Sequence, residues 1–103
     1  MAIFTGLMVE CSGDTYVLPQ HYVAEVLRVS PRDIIAEMGR EVIRLRDESV
    51  PLSSLAQILD LGQTARVAKR LTVLVLRFRE QTIGLLVDRT MGLQEVVVKD
   101  LGI

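Results

Sequence analysis

The sequence predicts an all-β fold, mainly strands with two short helices, arranged as small barrels or a sandwich. Three observations carry that expectation. Apolar runs rich in Val and Leu follow one another over residues 71–78, 82–87 and 96–98, interrupted by Arg79-Glu80-Gln81 and by Asp88-Arg89 and Gly92. Short runs with β-branched residues, punctuated by polar or Gly positions, mark consecutive antiparallel strands. Residues 41–46 alternate between apolar and charged types, the period of a half-buried strand. The hydrophobic half of the composition is aliphatic, with no Trp and only 4% aromatics, which suits packed aliphatic ribbons.

In chain order, residues 5–11 form the first strand, with Leu7 and Val9 on one face and Met8 and Glu10 on the other. Ser12-Gly13-Asp14 is a turn signal, because Gly tolerates positive φ and Ser and Asp bond back to the backbone. Residues 15–18 return as the partner strand, and Pro19 ends the pairing. In the third strand, residues 23–29, Val23, Glu25 and Leu27 share one face while Ala24, Val26 and Arg28 share the other. Glu25 among apolar neighbours is either a hydrated edge position or a contact residue. Ser30-Pro31-Arg32-Asp33 reads as a helix start, with Ser as N-cap, Pro at the first position and an acid near the positive dipole end. One or two helical turns are expected through Met38, with Gly39 stopping them.

In the next strand Ile43 and Leu45 face one way and Val42, Arg44 and Arg46 the other. Asp47-Glu48 reverses the chain into Val50-Pro51-Leu52. Ser53 or Ser54 caps a short helix whose Leu52, Leu55, Ile58 and Leu59 form one stripe. Residues 61–70 are the longest loop. Over residues 71–78 both faces are apolar, Val73 and Val75 on one, Leu74, Leu76 and Phe78 on the other, so this strand is central. Gly84, inside a strand pattern, marks a bulge or a close backbone approach. Met91-Gly92 reads as a turn.

At 103 residues the chain is one domain or part of one. A net charge of −1 with both signs scattered argues against a nucleic-acid partner, which calls for a basic face and aromatic platforms. A small nucleic-acid-binding barrel is therefore a remote alternative. The sole cysteine, Cys11, cannot form an internal disulfide and suggests a reducing compartment. No apolar segment approaches the roughly 20 residues that span a bilayer, and no secretory signal opens the chain. A soluble cytoplasmic domain, with no membrane insertion, is expected.

Little in the chain suggests catalysis. His21 follows Pro19-Gln20 at a turn with no Cys or His at ligand spacing, so it reads as a surface histidine and no metal site is expected. Cys11 reads as a small buried filler. Phosphate-binding glycine loops are absent, and nothing selects a carboxylate pair, so neither cofactor nor catalytic residue is assigned. Arginine dominates the basic residues, which mildly favours interface ion pairs; solvated strand edges account for it equally well.

Motifs in three stretches occur in an order that resembles the CheW-like domain of bacterial chemosensory systems. CSGDTYVLPQHYVAEVLRV is similar to the family's opening hairpin and third strand. GREVIRLRDESVPLSSLAQILDL resembles the version carried by CheA-type histidine kinases, and IGLLVDRTMGLQEVVVKDLG is similar to that version's Val-Asp and Gly-x-Gln-Glu-Val-Val segment. The resemblance spans the chain. It implies a fold of two small SH3-like β-barrels and a non-catalytic role in two-component signalling: docking a kinase to a CheW-type adaptor and to chemoreceptor cytoplasmic tips. A stand-alone CheW-like adaptor is the alternative, although REVIRLRD replaces the segment usual there. Matched by motif, Val23, Glu25, Val26 and Arg46 fall at partner-contact positions. The family runs on past the Val-Val-Val-Lys strand, so residues 1–103 are expected to form a CheW-like domain lacking its last strands. Unpaired backbone groups cost about 1–3 kcal/mol each when buried, so a homodimer or strand-exchanged oligomer is also expected.

Overall fold

The computed structural model describes residues 1–62 and 69–99. In chain order they form β1 (Ala2–Cys11), β2 (Asp14–Pro19), a 3-10 turn (Gln20–Tyr22), β3 (Val23–Val29) and a second 3-10 turn (Pro31–Asp33). There follow β4 (Ile34–Glu37), β5 (Arg40–Leu45), β6 (Glu48–Ser54), α1 (Leu55–Ile58), β7 (Leu71–Phe78), β8 (Gln81–Val87) and β9 (Arg89–Val98). One sheet has three strands in the order β2-β1-β9; the other has six, in the order β3-β7-β8-β6-β5-β4. All pairs are antiparallel except β6 with β8.

Tight turns set the registers. Between β1 and β2, β4 and β5, and β7 and β8, two residues reverse the chain, and both have positive φ: Ser12 and Gly13, Met38 and Gly39, Arg79 and Glu80. That is the type I′ pattern, whose twist matches the strands it joins. The last of these turns contains no glycine.

Two cores lie on either side of β7 and β8. Leu7, Val9, Cys11, Leu55, Ala56, Leu74, Leu85 and Val87 form the first, which holds the small sheet against the large one. Ile43, Val50, Val73 and Leu86 form the second. Successive residues of β7 serve opposite cores, Val73 one and Leu74 the other, and both are fully buried. The central, two-faced strand read from residues 71–78 is the one observed. Fully burying a Val or Leu side chain contributes about 1.5–3 kcal/mol, so this strand is the main source of cohesion.

The corner between β8 and β9 ties the sheets together. Asp88 N–H donates to the Glu10 carbonyl at 2.9 Å, the Ser12 N–H donates to Asp88 Oδ2 at 2.8 Å, and Arg89 pairs with Glu10 at 3.0 Å. Gly84 is flat against Val73 Cγ1 and Leu52 Cδ1, which a Cβ there would meet at 3.1 and 3.3 Å. The close approach expected at this glycine is therefore present, in a register without a bulge.

Several local expectations need correction. Ser30 caps as expected: its side chain accepts from Arg32 N–H while Asp33 Oδ2 accepts from Ser30 N–H. The helix stops after Asp33 all the same, and Ile34–Glu37 is a strand, Ile34 opposite Ile43. β-Branched Ile34 and Ile35 favour a strand, and Ile34 packs against the second core, which outweighs one further helical turn. Ser54 is the cap of α1, accepting from Gln57 N–H, but the helix is one turn long and Leu52 belongs to β6. It buries Leu55 and Ala56, while Ile58 and Leu59 stay 59% and 39% exposed, so the expected stripe does not form. Arg46 and Asp47, not Asp47-Glu48, make the β5–β6 turn, Leu45 opposite Glu48. Met91-Gly92 is no turn: Met8 opposes Gly92 and Val9 opposes Thr90, leaving Met91 as the extra residue of a bulge inside β9. Most of the loop read at residues 61–70 lies outside the described residues.

Candidate partner-binding site

Two of the four residues singled out in the sequence meet. Arg46, at the β5–β6 turn with φ 57°, reaches Glu25 on β3 across 21 residues of sequence. Its Nη1 donates to Glu25 Oε2 at 3.0 Å and its Nη2 to Oε1 at 2.9 Å, a bidentate fork. The Arg46 side chain remains 66% exposed and that of Glu25 29%. Hydrogen bonding from Arg46 holds the Glu25 carboxyl below its ordinary value of 4.5, with burial opposing and the charges of Arg46 and Arg77 assisting. The same bond raises Arg46.

A bulge puts Val23 and Glu25 on opposite faces of β3. Val23 opposes Leu76 and Glu25 opposes Val75, so Ala24 is an extra residue. One inserted residue reverses the side-chain alternation. Val23 consequently packs with Leu76 on the first core, whereas Leu27 and Val29 pack on the second. The single face expected for Val23, Glu25 and Leu27 is thus split. Val26 opposes Leu74 from the edge strand and is 47% exposed. Edge strand β3 therefore offers the Glu25–Arg46 fork on one side and Val26 on the other, with Val23 tucked inward.

The sequence reading missed a neighbouring feature. A shallow apolar recess of about 430 Å³ is lined by Leu18, Pro19, Tyr22, Leu76, Phe78 and Ile83, with Gln81 at its rim. Phe78, expected to face the core, is 52% exposed, with its ring edge-on to Tyr22 at 5.3 Å and the Arg79 guanidinium 5.2 Å from its centroid. The signal was the position of Phe78 at the strand's end beside a polar turn, past the last residue of β3 that could cover it. His21 is exposed on the 3-10 turn, its ring 4.1 Å from Tyr22. Cys11 is buried as a free thiol in the first core. Among the described residues no three His, Cys, Asp or Glu side chains are placed to hold a metal ion, and no helix is long and apolar enough to cross a membrane.

Residues 5–102 match the CheW-like domain family along nearly the whole chain. The chain belongs to this family. This CheW-like domain is 33% identical over 102 residues to the sensor histidine kinase CheAY of Helicobacter pylori, and 28% identical over 102 residues to the chemotaxis protein CheA of Bacillus subtilis. Each alignment takes in 99% of the present chain but only 13% and 15% of those relatives, so the chain corresponds to a small part of each. Its fold is similar to the crystal structure of the scaffolding protein TtCheW from Thermoanaerobacter tengcongensis, with a TM-score of 0.72. That likeness holds at 19% sequence identity over 90% of this chain and 65% of the other. The mostly-β, SH3-like architecture expected from the sequence is therefore the observed fold.

Proposed function

We propose that this CheW-like domain is a non-catalytic docking module of a cytoplasmic chemosensory complex. It couples a CheA-type histidine kinase to a CheW-type adaptor and to chemoreceptor cytoplasmic tips. The observation that carries the reading is the Glu25–Arg46 fork on edge strand β3, which the Ala24 bulge turns away from Val23. A pre-formed, half-exposed fork presents fixed donors and acceptors to a partner at little ordering cost. Val26 adds apolar contact at the same edge, and a specific interface hides roughly 800 Å² per partner.

Calorimetric titration against a purified CheW-type adaptor tests this. Arg46→Glu, Glu25→Arg and Val26→Asp should each weaken binding at least tenfold with the fold intact by circular dichroism. Unchanged affinity in all three would place the contact elsewhere. The similarity to TtCheW supports a second reading, a stand-alone adaptor. Parallel pull-downs separate the two: a kinase-type domain captures the adaptor in preference to a kinase core, and an adaptor does the reverse.

A further inference from the structure

Beside the fork, the large sheet carries a polar hollow of about 420 Å³. Its charged lining is Arg77 of β7, Arg79 and Glu80 of the β7–β8 turn, and Glu48 of β6, with Thr82 of β8 between them. β8 runs between β7 and β6 in the sheet, so Arg77 and Glu48 stand on either side of it.

The strand registers join this hollow to the fork. Glu25 opposes Val75, and Arg77 is two residues further along the same face of β7. Diagonal neighbours of this kind are within reach of long side chains. Glu48 is the first residue after the Arg46-Asp47 turn. Behind the hydrogen bond from Arg46, the charge of Arg77 helps to hold the Glu25 carboxyl low. Behind the bond to Glu25, the charge of Glu48 helps to hold Arg46 high. Charges therefore alternate in sign along Arg77, Glu25, Arg46 and Glu48.

The two ends of this series differ from its middle. Glu25 and Arg46 are joined to each other by two hydrogen bonds. Arg77 and Glu48 are exposed, and neither makes an ion pair or a side-chain hydrogen bond among the described residues. Arg79 lies over the Phe78 ring instead. With two cations and two carboxylates lining it, the hollow does not suit a partner of one charge sign. A partner that covers it must supply a mate for each end, because a charge buried without one weakens binding.

We propose that this hollow determines specificity in the docking site: a partner carboxylate sits against Arg77, and a neighbouring cationic side chain of the same partner sits against Glu48. The inference rests on the docking function proposed above and names the partner chemistry that the site reads.

Calorimetric titration of the whole chain against a purified CheW-type adaptor tests it. Arg77→Gln and Glu48→Gln introduce no repulsion within the chain and should each weaken binding about two- to fivefold, the worth of an exposed ion pair. Arg77→Glu and Glu48→Arg set like charges against the partner and should each weaken it roughly tenfold or more. The double variant carrying both reversals restores the net charge but inverts its direction, so it should bind no better than the single reversals. Full recovery in the double variant would mean that only net charge matters and would overturn the proposal, as would wild-type affinity in the glutamine variants. Arg46→Glu, run alongside, separates the two readings. If it alone weakens binding, docking at the fork stands and the hollow has no part in it; if none of these variants weakens binding, both readings fail.

Discussion

Gly6 is a strand glycine at which two effects of opposite sign compete, and the geometry decides between them. Its backbone is not left-handed, so alanine fits the conformation, and Gly→Ala at an unobstructed site would stabilise by about 0.4–1 kcal/mol through the unfolded chain. Here the site is obstructed. Val17 Cγ1 occupies the place a Cβ would take, and Val96 Cγ2 would lie 3.1 Å from it. Forcing in a methyl group costs about 1–3 kcal/mol, because valine is stiff at χ1 in a strand. Gly6→Ala should therefore destabilise by about 1–2 kcal/mol, lowering Tm by roughly 5–10 °C. Circular-dichroism melts at matched protein concentration read this out; matching matters because association shifts Tm. Val17 is 40% exposed, so Val17→Ala alone should cost about 1 kcal/mol or less. Adding Gly6→Ala to it should then cost nothing further. A Gly6→Ala chain as stable as wild type, or strict additivity in the double variant, would refute the reasoning.

Glu80, at φ 67° in the β7–β8 turn, occupies a left-handed conformation costing about 1–2 kcal/mol for a residue with a Cβ. Glu80→Gly should raise stability by about 0.5–1 kcal/mol after the unfolded-state penalty, measured by urea denaturation. Asp88→Ala removes the acceptor for the Ser12 N–H and should cost about 1 kcal/mol in the same assay. Because Arg46 lowers the Glu25 pKa, the stabilisation from this pair is complete above the ordinary value of 4.5 and disappears as pH falls through the depressed one. An NMR titration should therefore show the Glu25 carboxyl titrating at higher pH in Arg46→Ala than in wild type, and equal midpoints would contradict the hydrogen-bond assignment.

What the sequence determined by itself was periodicity and order. Period-two patterning located the strands at 5–11, 23–29 and 41–46, the two-faced run at 71–78 announced a central strand, and Ser-Gly at 12–13 announced its hairpin. These features are local, or depend only on which side of a strand is apolar, so one dimension suffices to see them. Motifs in three stretches, taken in order, likewise carried the family resemblance. Tertiary structure decided the rest wherever a distant neighbour outweighed a local preference. Ile34 and Ile35 follow a sound helix start yet pair with β5, because the second core that Ile34 packs against is worth more than a second turn. One extra residue at Ala24 reverses the faces of β3, and another at Met91 turns an expected loop into a bulge; neither leaves a compositional mark, since a bulge exists only relative to a partner strand. For the same reason the sequence could nominate Glu25 and Arg46 separately but could not join them. Their fork depends on a turn and an edge strand 21 residues apart being brought side by side, which packing around β7 and β8 does and local sequence does not record.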